Sequence, residues 1–316
     1  MEFNPEVGPF AGMDSAVPST EFPRIVTYDD VRADMWRTDP TEYMLGVNGR
    51  GEYESFNLAR GEGGDSPHLF VSAPSGSGKS VIAASIATQT LVKGGSAVFL
   101  DVKRISHRWA KNLPGVSYAV ETHEIANVIV SVLAELKRRM RVVDDFPGAV
   151  ADAPVGPRIV LIAEEINSMM NELEEFEKGL PPRGVYKPRK ALRDILNLGG
   201  AVNIHVVAFA QFPDKRLIPT AVIEAFGTRI LIQHTNESWK SLAWTLGYAP
   251  PAPQALGRGL IIRAGRAIET QFLYLTEEEC AHLVRTLRPE AERVGVIQEA
   301  RRALAQRRQL RALERG

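Results

Sequence analysis

Residues 68–80 read His68-Leu69-Phe70-Val71-Ser72-Ala73-Pro74-Ser75-Gly76-Ser77-Gly78-Lys79-Ser80, an apolar run that breaks into a glycine- and serine-rich turn and ends in Lys-Ser. The pattern predicts a strand, a loop and then a helix over Val81 to Leu91. Counted from Ala73, the loop follows the phosphate-cradle spacing G-x-x-x-x-G-K-[ST], with alanine, still small enough for the turn, in the first glycine position. Gly76 and Gly78 allow successive backbone N–H groups to converge on an anion, because no Cβ opposes the φ values this requires. The predicted cradle runs through Ala73, Pro74, Ser75, Gly76, Ser77, Gly78, Lys79, Ser80 and Val81. Lys79 would reach the β- and γ-phosphates of ATP, and Ser80 would ligate Mg²⁺. The positive end of the helix adds to the anion site.

Downstream, Ser96 to Leu100 is a buried-type strand that ends in Asp101-Val102-Lys103. Asp101 and Lys103 therefore stand where open α/β sheets bind ligands, just past the carboxyl end of a strand. Apolar residues recur at helical spacing through Glu124 to Val143, predicting an amphipathic helix against the sheet, and the proline-bearing stretch Asp144 to Pro157 reads as a surface loop. Arg158 to Ala163 is continuously apolar after its first residue, as a strand covered on both faces should be, and it terminates in Glu164-Glu165. With a phosphate loop upstream, Glu164 is the expected metal carboxylate and Glu165 the expected activator of the attacking water. Asn203 to Ala210 gives a further strand, after which Gln211 is placed to contact the γ-phosphate or that water. A strand at Thr228 to Gln233 and a hairpin of Gly259 to Arg263 with Ala267 to Tyr274 complete the pattern. Strands alternate with helices, so the fold expected is α/β, RecA-like, with a mostly parallel sheet.

Working back from the phosphate loop, Tyr43 to Leu58 reads as a hairpin around an Asn-Gly turn. Residues 1–42 read as an extension with one short helix at Tyr28 to Trp36, and residues 43–287 as the main domain. The arginine-dense stretch 288–316 reads as a basic helical tail. Between them, Lys178 to Lys190 is a basic, proline-rich loop carrying Arg183, Tyr186, Lys187, Arg189 and Lys190, which suits phosphate-backbone contact and equally suits a solvated surface. The 316 residues carry no net charge, so nucleic-acid affinity must come from such local clusters. The longest apolar stretches are too short to cross a bilayer, and the expected compartment is the cytoplasm. The single cysteine, Cys280, reads as a small apolar filler.

These motifs in this order resemble the FtsK/SpoIIIE-type translocases. The likeness rests on Pro67-His68-Leu69 leading into Ser75 to Ser80, on Asp101-x-Lys103, and on Glu164-Glu165 followed by Met169-Met170. It continues through Asn203-Ile-His205, Gln211-x-Pro213 and Gly227-Thr-Arg-Ile230. The resemblance spans residues 43–287 and implies a ring, a homohexamer, around double-stranded DNA that pumps it by ATP hydrolysis. It is nearest to the short actinobacterial members that transfer plasmids and integrative elements. It also implies an arginine or lysine finger inserted from the neighbouring subunit, with Arg229 the first candidate and Lys240 the second. Two departures stand out: the family's Asp is Glu164 here, and the Arg that usually follows Gln211 is Phe212. Two other readings remain open: a protein-substrate motor of the type VII secretion kind, and a nucleotide-binding assembly module with little hydrolysis.

Overall fold

The computed structural model describes residues 22–35, 41–59, 66–181 and 186–288. The first 21 residues, Arg183 and the tail from residue 289 lie outside the described residues.

A short helix α1 (Tyr28–Met35) precedes the hairpin of β1 (Glu42–Asn48) and β2 (Tyr53–Asn57). Then β3 (Leu69–Ser72) leads through the phosphate loop into α2 (Lys79–Val92) and β4 (Ser96–Leu100). Next come β5 (Val116–Ala119), α3 (Thr122–Asp144), β6 (Ile159–Ala163), α4 (Ile166–Lys178), α5 (Pro188–Leu198) and β7 (Ile204–Ala210). The chain continues through α6 (Thr220–Glu224), β8 (Thr228–Ile232), α7 (Asn236–Leu242), β9 (Arg258–Arg263), β10 (Arg266–Phe272) and α8 (Glu277–Leu287). All ten strands form one sheet in the order β2-β1-β10-β9-β8-β3-β7-β6-β4-β5. From β8 to β5 the neighbours are parallel, and from β9 outward to β2 they are antiparallel.

Continuous apolar runs became central strands because helices cover both faces. Alternate residues of one strand face opposite layers: Phe70, Leu161 and Val206 pack under α3, α4 and α5, while Leu69, Val71, Ile162 and Val207 pack under α2 and α8. The hairpin expected before the phosphate loop joins the sheet, since β1 pairs with β10 and makes the antiparallel half continuous with the rest. Gly46 permits this approach, because a Cβ there would stand 2.1 Å from the carbonyl oxygen of Gln271. The strand β5 has no counterpart in the sequence reading; it is four residues long with only Ala119 fully buried, which leaves too short a pattern to detect. Among the described residues no helix is long and apolar enough to cross a membrane.

Candidate nucleotide site

The carboxyl ends of β3, β7, β6 and β4 converge on the phosphate loop. Past the last strand residues, Ala73 N–H donates to the Ala210 carbonyl at 3.1 Å and the Ser72 hydroxyl donates to the Gln211 carbonyl at 3.0 Å, so the loop leaves the sheet locked to β7. Gly76 has φ +78° and Gly78 φ +104°, yet a Cβ at either would meet nothing within 4 Å. Dihedral preference, not space, demands glycine here; a side chain in such conformations costs about 1–2 kcal/mol. Gly78 caps α2, whose first turn carries Lys79 and no acidic residue, so the positive helix end is open to an anion.

The Lys79 ammonium donates to the carbonyls of Ala73 at 2.6 Å and Pro74 at 2.8 Å, inside the curl of the loop. Burial pulls its pKa below the usual lysine value; Glu165 and Glu164 oppose the shift and Lys103 adds to it. Two strands away, Glu164 and Glu165 are 5% and 7% exposed. The Ser80 hydroxyl donates to Glu164 Oε1 at 2.6 Å, and His107 Nε2 lies 3.1 Å from Oε2. Burial alone would raise the Glu164 pKa. The hydrogen bond and charge of His107, the Ser80 hydroxyl and the Lys79 charge together outweigh it, so the carboxyl sits below its ordinary value. Lys103 Nζ is 3.0 Å from Glu165 Oε2, and Gln211 Nε2 donates to Ser75 Oγ at 2.9 Å. Lys79, Ser80, Glu164, Glu165, Gln211 and Lys103 are thus gathered around one loop.

Asp101 has a different part from that of a ligand contact. Its carboxylate accepts the N–H groups of Lys103, Arg104 and Ser106 and the Tyr118 hydroxyl, so it folds the loop that follows β4. His107 went unseen in the sequence, because it follows no strand directly and its link to Glu164 exists only in the fold. Asn167 is a second such residue: it bridges α4 to the segment after β7 through the Phe212 carbonyl at 2.6 Å and the Asp214 N–H at 3.2 Å.

Arg229 does not project as a finger. It is 8% exposed, donates to the carbonyls of Leu242 at 3.1 Å and Ile223 at 3.4 Å, and stacks 4.2 Å from the Trp244 ring. The guanidinium is held by its own chain at the amino end of β8, where Arg229 pairs in register with Phe70 of the phosphate-loop strand β3. Lys240 stands exposed on α7. Among the described residues of the basic loop, several are paired within the chain. Arg189 pairs with Glu177 at 2.9 Å and Glu174 at 3.4 Å, Tyr186 bonds to Asp194, and Lys190 donates to Tyr186 at 3.0 Å and pairs with Asp194 at 3.3 Å. Lys187 remains exposed.

A phosphate loop on one central strand, a carboxylate pair two strands away and an intervening strand followed directly by Gln211 define a P-loop ATPase fold of the RecA-like kind. No protein-family model matches the chain. In sequence it is similar to the DNA translocase FtsK of Chlamydia pneumoniae, 23% identical over 290 residues, 85% of this chain and 35% of that one. It is similarly related to FtsK of Tropheryma whipplei (strain TW08/27), 24% identical over 283 residues, 80% of this chain and 35% of the relative. The chain therefore spans about a third of the length of the curated relatives it matches. Among solved structures, the monomer form of the pCW3 conjugation coupling protein TcpA, determined with ATPγS, superposes with a TM-score of 0.69 at 16% identity over 86% of this chain and 76% of that one. The cytoplasmic domain of EssC superposes with a TM-score of 0.63 at 14% identity, over 81% of this chain and 48% of that one.

Proposed function

We propose that this chain is the motor portion of an ATP-driven double-stranded DNA translocase, working on the cytoplasmic side as a homohexameric ring in conjugative transfer of DNA. The observation that carries the ATPase reading is the facing of Ser80 and Lys79 by two buried carboxylates, Glu164 and Glu165. The choice of DNA rests on the sequence similarity to proteins named as DNA translocases across most of this chain.

In this reading, the phosphates of ATP seat in the cradle from Ala73 to Val81, and Lys79 leaves its two carbonyls for the β- and γ-phosphates. The Ser80 hydroxyl and the Glu164 carboxylate, 2.6 Å apart, are a hard-oxygen pair that fits Mg²⁺. Among the described residues no cluster of three or more His, Cys, Asp or Glu side chains could hold a metal by itself, so the remaining ligands fall to phosphate and water oxygens. When bound, Mg²⁺ would neutralise charge that develops on the phosphates. Glu165 takes the proton of the attacking water, and Gln211, tethered to Ser75, reads the γ-phosphate. Lys240 supplies the cation that completes the site from the next subunit.

The likeness to EssC in fold favours a second reading, a motor for protein substrates. Steady-state hydrolysis with and without linear duplex DNA separates the two, with Lys79→Ala as the control that removes turnover. Severalfold stimulation by DNA is the expected result. Hydrolysis indifferent to DNA would move the assignment to the protein motor, and absence of hydrolysis to a nucleotide-binding assembly module.

A further inference from the structure

The residues between β7 and α6 belong to no strand or helix, and Gln211 is the first of them. Its strand side is fixed, because the Ser72 hydroxyl donates to the Gln211 carbonyl at 3.0 Å and Ala73 N–H donates to the Ala210 carbonyl at 3.1 Å. Its far side has less support. Phe212 is 39% exposed, so core packing does not fix it, and Pro213 has no N–H to offer a ladder. The main chain there is held by one side chain from another element: Asn167 Nδ2 donates to the Phe212 carbonyl at 2.6 Å, and Asn167 Oδ1 accepts the Asp214 N–H at 3.2 Å. The amide straddles the proline and supplies the two bonds that a β partner would have supplied.

This double role suits asparagine, whose planar amide carries a donor and an acceptor together, whereas aspartate can only accept. Asn167 lies in the first turn of α4, which follows Glu165 directly, so it ties the exit of β7 to the exit of its parallel neighbour β6. A second tie lies further along the same helix, where Arg216 donates to Asn171 Oδ1 at 3.2 Å and to Glu174 Oε2 at 3.3 Å. With the Arg216 side chain 63% exposed, that tie is weak. The Gln211 side chain donates to Ser75 Oγ at 2.9 Å, an exposed hydrogen bond that a charged phosphate oxygen can replace. Since the side chain can change partner, its aim is set by its backbone, which β3 holds on one side and Asn167 on the other.

We propose that Asn167 is a positioning residue for recognition of the γ-phosphate: its amide fixes the Phe212 to Asp214 backbone so that Gln211 is aimed into the phosphate cradle. This deepens the nucleotide reading of the site and rests on Gln211 facing the γ-phosphate.

The test uses the full chain as wild type, Asn167→Ala, Asn167→Asp, Gln211→Ala and the double variant of Asn167→Ala with Gln211→Ala, each titrated with ATPγS and with ADP. Asn167→Ala is expected to lower the preference for ATPγS over ADP about three- to tenfold, with ADP affinity within about twofold. Asn167→Asp keeps the shape and the acceptor but has no donor for the Phe212 carbonyl, so it should behave as Asn167→Ala does. In the Gln211→Ala background, Asn167→Ala should change the preference no further, because nothing is left to aim. A merely structural role predicts equal losses for ATPγS and ADP that persist in Gln211→Ala. That pattern, or the wild-type preference in either Asn167 variant, overturns the proposal; should Asn167→Ala lose ADP binding outright, the isosteric Asn167→Asp decides. The wild-type preference in Gln211→Ala removes Gln211 from the γ-phosphate and the proposal with it. A wild type that shows the preference but hydrolyses nothing under any condition removes the ATPase reading and leaves the role of Asn167 standing.

Discussion

The two ends of the parallel strands both bury charged and polar side chains, and they treat them in opposite ways. At the carboxyl end, the loops are held by main-chain contacts of Lys79, Asp101 and Asn167, but the side chains around the phosphate loop also answer one another: Ser80 and His107 meet Glu164, Lys103 meets Glu165, and Gln211 meets Ser75. At the amino end the partners are mostly main chain. His68 donates from Nε2 to the Leu196 carbonyl and accepts the Val206 N–H at Nδ1, while His205 Nδ1 faces the Pro67 carbonyl at 2.8 Å. Arg229 holds the carbonyls of Leu242 and Ile223, and Arg288 those of Leu91 and Gly95. The main-chain partners at the amino end belong to the sheet and the helices that cover it, so those side chains cannot exchange them without undoing the fold, whereas side-chain pairs at the carboxyl end, and the Lys79 contacts to loop carbonyls, can be separated by a ligand. The contrast assigns architecture to one end and chemistry to the other.

The contrast is sharpest at Glu165. Glu165→Gln is expected to lower kcat about 10²–10³-fold, leave ATPγS affinity within about twofold and leave thermal stability unchanged. Single-turnover hydrolysis beside ATPγS titration checks it. If Glu164→Gln traps nucleotide instead and Glu165→Gln stays active, the two carboxylates exchange roles.

The amino end predicts a pH limb in stability and none in the chemistry. Burial lowers the His68 pKa from 6.5 to about 4, with the Leu196 carbonyl acting against the shift, and His205 is lowered in the same sense by burial and by Arg158. Both rings are neutral when folded, and the unfolded chain takes up their protons below pH about 6.5. Stability therefore falls as the pH drops from about 6.5 toward about 4, by about 3 kcal/mol for His68 alone. Denaturant unfolding across that range, with His68→Gln compared against wild type, should show a shallower slope in the variant. An identical slope would remove His68 from the account.

Arg229→Ala tests the comparison where sequence and structure disagree. Loss of two hydrogen bonds and the Trp244 contact should cost about 1–3 kcal/mol of stability. Mixtures of Arg229→Ala with Lys79→Ala subunits should recover no turnover beyond the Arg229→Ala rate. Lys240→Ala mixed with Lys79→Ala should recover some, because interfaces then pair an intact loop with an intact lysine. Recovery by Arg229→Ala and none by Lys240→Ala would return the inserted cation to Arg229.

What the sequence revealed were features fixed by near neighbours. The spacing of Gly76, Gly78 and Lys79 encodes dihedrals and reach within eight residues, and the apolar run before Glu164-Glu165 marks a strand covered on both faces. What it concealed depends on partners distant in the chain. Among the cations of Lys178 to Lys190, the partners of Arg189 are Glu177 and Glu174 on the preceding helix, which the count of charges in the loop does not reveal. His107 carries no local pattern at all; its meaning comes from Glu164, 57 residues away. Arg229 sits in the expected strand, and only the return of α7 to offer the Leu242 carbonyl shows why it is an arginine.

The strand order has a consequence for biosynthesis. The β1–β2 hairpin is made early, but the strand that joins it to the sheet, β10, leaves the ribosome roughly 220 residues later. At translation rates of about 5–20 residues per second, β1 presents an unpaired edge for on the order of tens of seconds. The nascent chain therefore depends on β10 to close the edge of β1, and a ribosome stall between β2 and β10 would leave the half-built sheet open to pairing with a neighbouring polypeptide.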